Sequence, residues 1–338
     1  MATPARLLHI LAWLFLTVVG DASASPVDLY SVETSGQSLS KRGPYISHAN
    51  GTTSVIDPNS GSIIAQGSPS DGSGHDFSAP AIIWIVYSFA VGVPLALVGL
   101  RLLRFTSGTG LGVLLTVCIW VAFINTETAS ALPDLVITLA PVGGFLVAFS
   151  FGMHEFGRVA GIGFLSILGG FAFGVRICLF RDGLLAPEHY ADWLIITGFG
   201  IIGLLIFVWK RRASVALSSS SVGTFLTALG IDLVVEKQSG MSWGLRFLFD
   251  RNHAHFEYLT YVGWRPTTVT IILLAVSLGL TPVLAFAQLW IFRRRPEHTS
   301  IPTVDNRLST EYHSEDKTLE IPRVAIQYAP SQEPTEPA

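Results

Sequence analysis

The chain has 338 residues, of which 50% are hydrophobic and 13% charged, and its mean hydropathy is +0.51. This apolar content is far above that of a soluble globular domain, so a soluble enzyme is excluded. The 21 basic and 24 acidic side chains give a net charge of -3, which offers no electrostatic support for binding nucleic acid, and two cysteines cannot form a disulfide scaffold.

The N-terminus has the pattern of a secretory signal peptide. Arg6 precedes an apolar run over residues 7–19, and small residues follow at positions 22–25. The alternative is an uncleaved first span, but the run is short for a bilayer and the small residues are typical of a cleavage site. We therefore predict that residues 1–24 are removed and that the mature N-terminus lies outside the cytoplasm.

Residues 25–78 are rich in Ser, Gly, Thr and Asp and contain few large apolar residues. This composition predicts a lumenal or extracellular segment that is mostly disordered. Asn50-Gly51-Thr52 fits the acceptor pattern for N-glycosylation, so Asn50 is a candidate glycosylation site.

Seven apolar segments follow, each of about the length that a transmembrane helix needs. They cover residues 79–100, 109–124, 133–151, 159–180, 190–209, 213–235 and 268–292. The predicted fold class is therefore all-α: a polytopic integral membrane protein with a seven-helix transmembrane bundle over residues 79–292, after a cleaved signal peptide.

Basic residues beside the spans predict the orientation. One set of connections carries nine of them, and the opposite set carries five: Arg101, Arg104, Arg158, Lys210, Arg211, Arg212 and Arg293 to Arg295, against Arg181, Lys237, Arg246, Arg251 and Arg265. Because cytoplasmic loops carry the excess of Lys and Arg, we expect the N-terminus outside and the C-terminus in the cytoplasm. The signal peptide predicts the same orientation, and we expect a secretory-pathway membrane, the plasma membrane.

The C-terminal residues 293–338 are rich in Pro, Glu, Ser and Thr, which predicts a disordered cytoplasmic tail. Such a tail is suited to binding membrane or cytoplasmic protein partners. The bilayer itself is the other expected partner.

Small residues predict close helix packing. The fourth span has Gly157, Gly161, Gly170 and Gly174 on one face, which lets another backbone approach. Gly223 and Gly230 are candidates for the same role in the sixth span. Packing within the bundle is favoured over dimerisation.

Four polar side chains in or beside the spans are candidates for a structural role or an ion pathway: Arg176, Asp232, Asp134 and Gln288. Counting from the helix ends places Arg176 and Asp232 at similar depth, where they would be able to pair. Asp134 is a rival partner for Arg176. In the competing arrangement Arg176 extends to the interface and Asp232 accepts hydrogen bonds from a neighbouring helix.

Motifs for catalysis or cofactor binding are missing. The sequence has no HExxH helix, GxSxG elbow or Walker loop, and no lysine lies in a span to bind retinal. His253, His255 and Glu257 alternate as possible metal ligands, but no fourth ligand is evident and a solvated loop is favoured. We therefore expect no enzymatic activity, no metal and no cofactor.

Two stretches resemble the domain shared by seven-transmembrane superfamily member three and transmembrane protein 198. Residues 219–233 combine a Ser/Gly-rich entry with Gly230-Ile231-Asp232 near the end of a helix, and residues 279–292 contain Gln288 before a basic flank. The resemblance covers roughly residues 80–295. It implies a multi-pass membrane protein without an assigned catalytic reaction, whose relatives are linked to signalling at the cell surface and to survival under stress.

Two classes of function remain open. The first is a non-enzymatic membrane protein that acts as a scaffold, a receptor-like signalling adaptor or a stress-related factor. The second is a small transporter or channel, in which the buried ionisable residues would form the pathway.

Overall fold

The computed structural model describes residues 44–49, 52–58, 60–67, 70–126, 132–185 and 189–292. The predicted signal peptide (1–24), the glycosylation candidate Asn50 and the predicted tail (293–338) lie outside the described residues.

Nine α-helices dominate the described part of the chain. They are α1 (Ala79–Val98), α2 (Leu103–Thr126), α3 (Asp134–Met153), α4 (Glu155–Cys178), α5 (His189–Trp209), α6 (Arg211–Val235), α7 (Met241–Phe249), α8 (Phe256–Val262) and α9 (Thr268–Ile291), with a 3-10 turn at His253–His255. Seven of them, α1 to α6 and α9, are long and apolar enough to cross a membrane. The predicted seven-helix, all-α membrane bundle is therefore confirmed.

The second span begins earlier than predicted, at Leu103 and not at residue 109. Its first turns contain hydroxyl side chains that donate to backbone carbonyls: Thr106 to Gly99 and Ser107 to Gly152. Because these hydroxyls have hydrogen-bond partners inside the protein, the polar residues before position 109 can be part of the helix within the bundle.

Two helices occupy the inside of the bundle. In α4 and α6, 72% of the apolar window is buried, whereas in α3, α5 and α9 the share is 28%, 22% and 28%. The inner helices also have the lowest hydropathy, 1.7 and 1.4. A helix that faces other helices accepts glycine and serine, whereas a helix that faces lipid must be apolar.

The two ends of the bundle differ. At the end called here the capped end, the bundle is covered by the described residues of 44–78 and by residues 236–267, which include α7 and α8. At the opposite end, called here the basic end, short connections join the helices at residues 99–102, 154 and 210. Exposed aromatic rings lie at the basic end, with Trp209 85% and Trp290 69% exposed.

A small antiparallel sheet lies at the capped end. Its strands β1 (Tyr45–Ala49), β2 (Thr52–Ile56) and β3 (Ile63–Ile64) pair in chain order, with Ala49 opposite Thr52 and Val55 opposite Ile64. Val55 is fully buried and packs against Phe256 of α8. The expectation of disorder over residues 25–78 is therefore wrong for the sheet, because a contact with a distant helix stabilises its apolar face.

Candidate functional site

A cavity of about 180 Å³ extends from the capped end into the bundle, between α1, α2, α4, α6 and α7. Its wall is aliphatic and aromatic and includes Tyr87, Val113, Leu168, Val222, Phe225 and Leu226. Concave sites with apolar walls and few polar groups are typical of binding sites for apolar molecules. The cavity is therefore the candidate ligand site of the bundle.

Residues 70–76, called here the cover segment, lie over the cavity, and Asp71 and Ser73 form part of its wall. Two indole N–H groups from the wall donate to backbone carbonyls of this segment. Trp84 of α1 bonds the Gly72 carbonyl at 3.2 Å, and Trp120 of α2 bonds the Asp71 carbonyl at 2.9 Å. The tryptophans thus fasten the cover to two different helices.

The third helix also holds the cover segment. Asp134, the first residue of α3, accepts a hydrogen bond from the Ser70 hydroxyl, and the Thr138 hydroxyl donates to the Gly72 carbonyl. Gly72 has φ +75, and a Cβ there would lie 2.8 Å from the Ile137 side chain. Glycine is therefore required for the backbone conformation and for the close approach to α3.

The connection after α6 completes the attachment. Gln238 donates to the carbonyls of Ser73 and Asp76 at 3.3 and 3.1 Å, and it accepts from the Asp76 amide at 3.1 Å. Lys237 forms an exposed ion pair with the Asp76 carboxylate. The hydrogen bond and the charge of Lys237 lower the pKa of Asp76 below its ordinary value. The cover segment is thus bonded to four separate parts of the bundle.

Asp232 lies in the last turn of α6 and is fully buried. One carboxylate oxygen accepts from the Thr270 hydroxyl of α9 at 2.8 Å, and the other accepts from the backbone N–H of Met241, the first residue of α7. A carboxylate at a helix N-terminus satisfies a free N–H and interacts favourably with the helix dipole. Asp232 therefore joins three helices at the capped end.

Arg176 lies in the last turn of α4 and is also fully buried. Its guanidinium donates to the Thr224 hydroxyl at 2.9 Å, to the Thr281 hydroxyl at 3.1 Å and to the Ser221 carbonyl. The ring of Phe225 lies 5.3 Å from the guanidinium carbon. Arg176 thus ties α4 to α6 and α9, and oxygen acceptors and an aromatic face surround its charge.

The structure does not bring Arg176 and Asp232 together, so of the two arrangements considered from the sequence the ion pair does not form. Thr224 precedes Asp232 by eight residues on α6, which is about 12 Å along a helix. Side chains in a helix lean towards its N-terminus, so Arg176 extends towards the middle of the bundle and does not reach the interface. The competing arrangement holds for Asp232, which accepts from a neighbouring helix, but not for Arg176.

Gln288 of α9 is buried near the basic end. Its amide N–H groups donate to the Ala96 carbonyl at 2.6 Å and the Ser220 hydroxyl at 3.3 Å, and its oxygen accepts from the Leu100 amide at 3.2 Å. Backbone groups at a helix end need partners when water is excluded. Gln288 supplies such partners for the end of α1.

The candidate packing glycines contact different neighbours. A Cβ on Gly161 would lie closer than 3.0 Å to the Ser107 carbonyl of α2. A Cβ on Gly170 or Gly174 would likewise lie closer than 3.0 Å to the backbone of α5. Gly157 approaches the end of α3, at the Phe151 carbonyl. The four candidate glycines of α4 therefore contact three neighbouring helices and do not form a single packing face.

On α6 the glycines contact one helix. A Cβ on Gly223 would lie closer than 3.0 Å to the Ala96 backbone of α1, and a Cβ on Gly230 would lie 3.1 Å from the Phe89 ring. The Gly230-Ile231-Asp232 segment thus has two uses. Gly230 admits α1, and Asp232 bonds α7 and α9.

The histidine-containing loop at the capped end is partly buried. His255 is fully buried, and its Nδ1 lies 2.8 Å from Asp250, whose same oxygen also accepts from Arg246 at 3.4 Å. The expectation of a solvated loop is therefore wrong for His255. Among the described residues, no group of three His, Cys, Asp or Glu side chains is placed to bind a metal.

Sequence reasoning missed the cavity and the residues that close it. The segment containing Asp71-Gly72-Ser73-Gly74 has the composition of a flexible linker. Trp84 and Trp120 lie towards span ends, where tryptophan is typical of the lipid interface. A tryptophan in such a position also needs an acceptor for its N–H when it is buried. The need of a buried indole N–H for an acceptor was therefore the signal in the sequence from which a polar segment over the helix ends could have been predicted.

Comparison with known proteins gives one family. No curated protein and no solved structure matches the chain. The family model described as the TM7S3/TM198-like domain matches residues 85–289, more than half of the chain, from α1 to α9. The match includes the cavity helices and the residues Arg176, Asp232 and Gln288. This chain therefore belongs to the TM7S3/TM198-like family of multi-pass membrane proteins.

Proposed function

We propose that the chain is a non-enzymatic, receptor-like membrane protein that binds an apolar molecule in the cavity beneath the cover segment. The cavity itself is the observation that carries the proposal, because its wall offers apolar contacts on five helices. Removing apolar surface from water or from a looser lipid environment favours such binding.

The attachment of the cover segment supports a signalling role. Residues 70–76 bond α1, α2, α3 and the connection after α6, so a ligand that moves the cover would also act on four parts of the bundle. A conformational change requires that the ligand bind the two states with different affinity. A ligand that contacts the cover only when the cover is closed would bind the closed state more tightly and would shift the bundle towards it.

We infer further that the capped end faces outside and the basic end faces the cytoplasm of the plasma membrane. The excess of basic residues beside the basic end supports this orientation. Residues 293–338 would then pass the state of the bundle to cytoplasmic protein partners, because their polar composition suits partner recognition.

Photochemical labelling tests the proposal. The full-length protein in lipid nanodiscs is exposed to an octadecyl probe with a diazirine group, and labelled peptides are mapped by mass spectrometry. Labels are expected on the cavity walls of α2 and α4. Val113→Phe should suppress these labels by filling the cavity, whereas Val147→Phe, at a 71% exposed position on α3, should not. Labelling confined to the lipid-facing surface would contradict the proposal.

The second candidate function is a small transporter or channel. The observation that favours it is the buried charge of Arg176, which lies among hydroxyl groups and forms no ion pair with any residue that the structure describes. Against it, Arg176, Asp232 and Gln288 each make several hydrogen bonds between helices, which supports a fixed structural role. Flux of Na⁺, K⁺, Cl⁻ and H⁺ from loaded proteoliposomes distinguishes the two, because a receptor-like protein should release no more than empty vesicles.

A further inference from the structure

One buried hydroxyl in the cavity wall has no hydrogen-bond partner within the described part of the chain. Ser88 of α1 is 1% exposed, and its Oγ bonds no atom of the residues that the structure describes. A serine in a helix often donates to the carbonyl four residues earlier, as Ser150 and Ser166 do here. Ser88 does not make this bond. A buried polar group without a partner costs free energy, so the Ser88 hydroxyl is available to hydrogen-bond with a molecule bound in the cavity.

The other hydroxyl groups of the wall are paired. Tyr87 donates to Thr116 at 3.3 Å, and Thr116 donates to the Gly112 carbonyl at 2.9 Å. Ser73 donates to Asp71 at 2.6 Å, next to the opening. Among the described residues of the wall, Ser88 is therefore the buried hydroxyl that lacks a partner.

The charges of the wall restrict the ligand further. No Lys, Arg or His is among the described residues that line the cavity, and the one ionisable carboxylate there belongs to Asp71. An anionic head group would lose its hydration without a cation among the described lining residues to offset the loss, and Asp71 would repel it. A cationic head group at Ser88 would lose its hydration, and among the described lining residues only Asp71 carries a carboxylate that could offset the loss. A neutral head group meets neither cost.

We propose that the cavity binds a neutral lipid whose single hydroxyl or carbonyl group hydrogen-bonds with Ser88 while its apolar body fills the space between α2, α4 and α6. The inference rests on the proposed function, because it names the class of ligand for the same cavity. Long-chain alcohols and sterols share this chemistry. The former have a linear body and the latter a rigid one.

Direct binding measurements on the full-length protein in nanodiscs test the class. The probes are tritiated oleyl alcohol, oleate, octadecene and cholesterol. We expect a neutral hydroxyl probe to bind more tightly than oleate, which has a charged head group. We also expect it to bind more tightly than octadecene, which has no polar head group. Ser88-dependent binding of either oleyl alcohol or cholesterol supports the proposal, and the probe that binds identifies a linear or a rigid ligand.

The variants separate the two proposals. Ser88→Ala should weaken binding of the hydroxyl probe by about two- to tenfold, as expected for one hydrogen bond, and leave octadecene unchanged. Ser150→Ala is the control, because it removes a serine hydroxyl on the exposed face of α3, and it should change the binding of neither the hydroxyl probe nor octadecene. Val113→Phe should abolish binding of all probes, and Ala172→Leu fills the same cavity from α4 if the first variant fails to fold.

The outcomes are distinguishable. If Val113→Phe blocks binding but Ser88→Ala has no effect, or if oleate and octadecene bind as tightly as the hydroxyl probes, this inference is overturned and the proposed function stands. If neither cavity-filling variant, folded by size-exclusion and thermal-unfolding criteria, reduces binding, the proposed function itself fails.

Discussion

The carboxylate of Asp232 accepts a 2.8 Å hydrogen bond from Thr270, and this contact is the first of four side-chain hydrogen bonds between α6 and α9. The next joins Thr224 to Thr281 at 2.9 Å, and the last two join Gln288 to Ser220 at 3.3 Å and to Ser219 at 3.4 Å. Positions fall along α6 as they rise along α9, as two antiparallel helices require. The polar residues of these helices thus fix their register inside an apolar bundle, where specific polar pairs distinguish one register from another.

Asp232→Asn should lower the free energy of unfolding by about 1–3 kcal/mol. The carboxylate accepts on both oxygens, from Thr270 and from the Met241 amide, whereas an asparagine has one oxygen and would turn an N–H group towards one of these donors. Thermal unfolding in detergent measures the loss. Asp76→Asn, at an exposed carboxylate, is the matched control and should change the midpoint much less.

Arg176→Gln and Asp232→Asn should be additive within about 0.5 kcal/mol, because the two side chains share no partner and bind α6 about 12 Å apart. In contrast, Arg176→Gln and Thr224→Val should be coupled, since they remove the two ends of one hydrogen bond. Double-mutant cycles of thermal stability measure both. A coupling energy between Arg176 and Asp232 as large as that between Arg176 and Thr224 would contradict the contacts described above.

Gly161→Ala should destabilise the bundle by about 1–3 kcal/mol, because the new methyl group would lie closer than 3.0 Å to the Ser107 carbonyl and would push α4 away from α2. Gly143→Ala is the matched control on α3, where a Cβ would meet nothing within 4 Å. Equal unfolding midpoints for the two variants would show that α2 and α4 do not pack at Gly161.

Trp120→Phe keeps an aromatic ring in the cavity wall but should make local opening of the cover segment more frequent. The variant loses the 2.9 Å hydrogen bond to the Asp71 carbonyl. Hydrogen–deuterium exchange measured by mass spectrometry should therefore show faster exchange in peptides that contain residues 70–76. Trp290→Phe, at an exposed ring near the basic end, should leave these peptides unchanged. Unaltered exchange in Trp120→Phe would mean that the indole does not hold the cover.

The seven spans were predictable because hydropathy is a local property. A helix that crosses a membrane satisfies its backbone hydrogen bonds internally, so a run of apolar residues is enough to specify it. The glycine-rich character of α4 and the serine-rich character of α6 likewise indicated helices with close neighbours. Which neighbour each glycine contacts was not predictable, because this depends on the order of the helices in the bundle.

The sheet was missed although part of its signal is in the sequence. The Asn-Gly pair at positions 50–51 is typical of a hairpin turn, and β-branched residues occur in the short runs on both sides of it. An isolated hairpin is marginally stable at best. The burial of Val55 against Phe256, a residue far along the chain, decides that this one forms, and no local pattern contains that contact.

The amino-acid sequence by itself determined the seven apolar helices, the close packing at the glycines of α4 and α6 and the identity of the costly polar residues, since each follows from side-chain chemistry over one or two turns. Only the tertiary structure decided that Arg176 reaches Thr224 and Thr281, that Asp232 bonds Met241, and that Ser88 faces a cavity. These relationships depend on the depth, rotation and lean of each helix against its neighbours. Depth, rotation and lean are set by packing over the whole bundle. A close contact between two helices changes which side chains each of them turns towards a third helix.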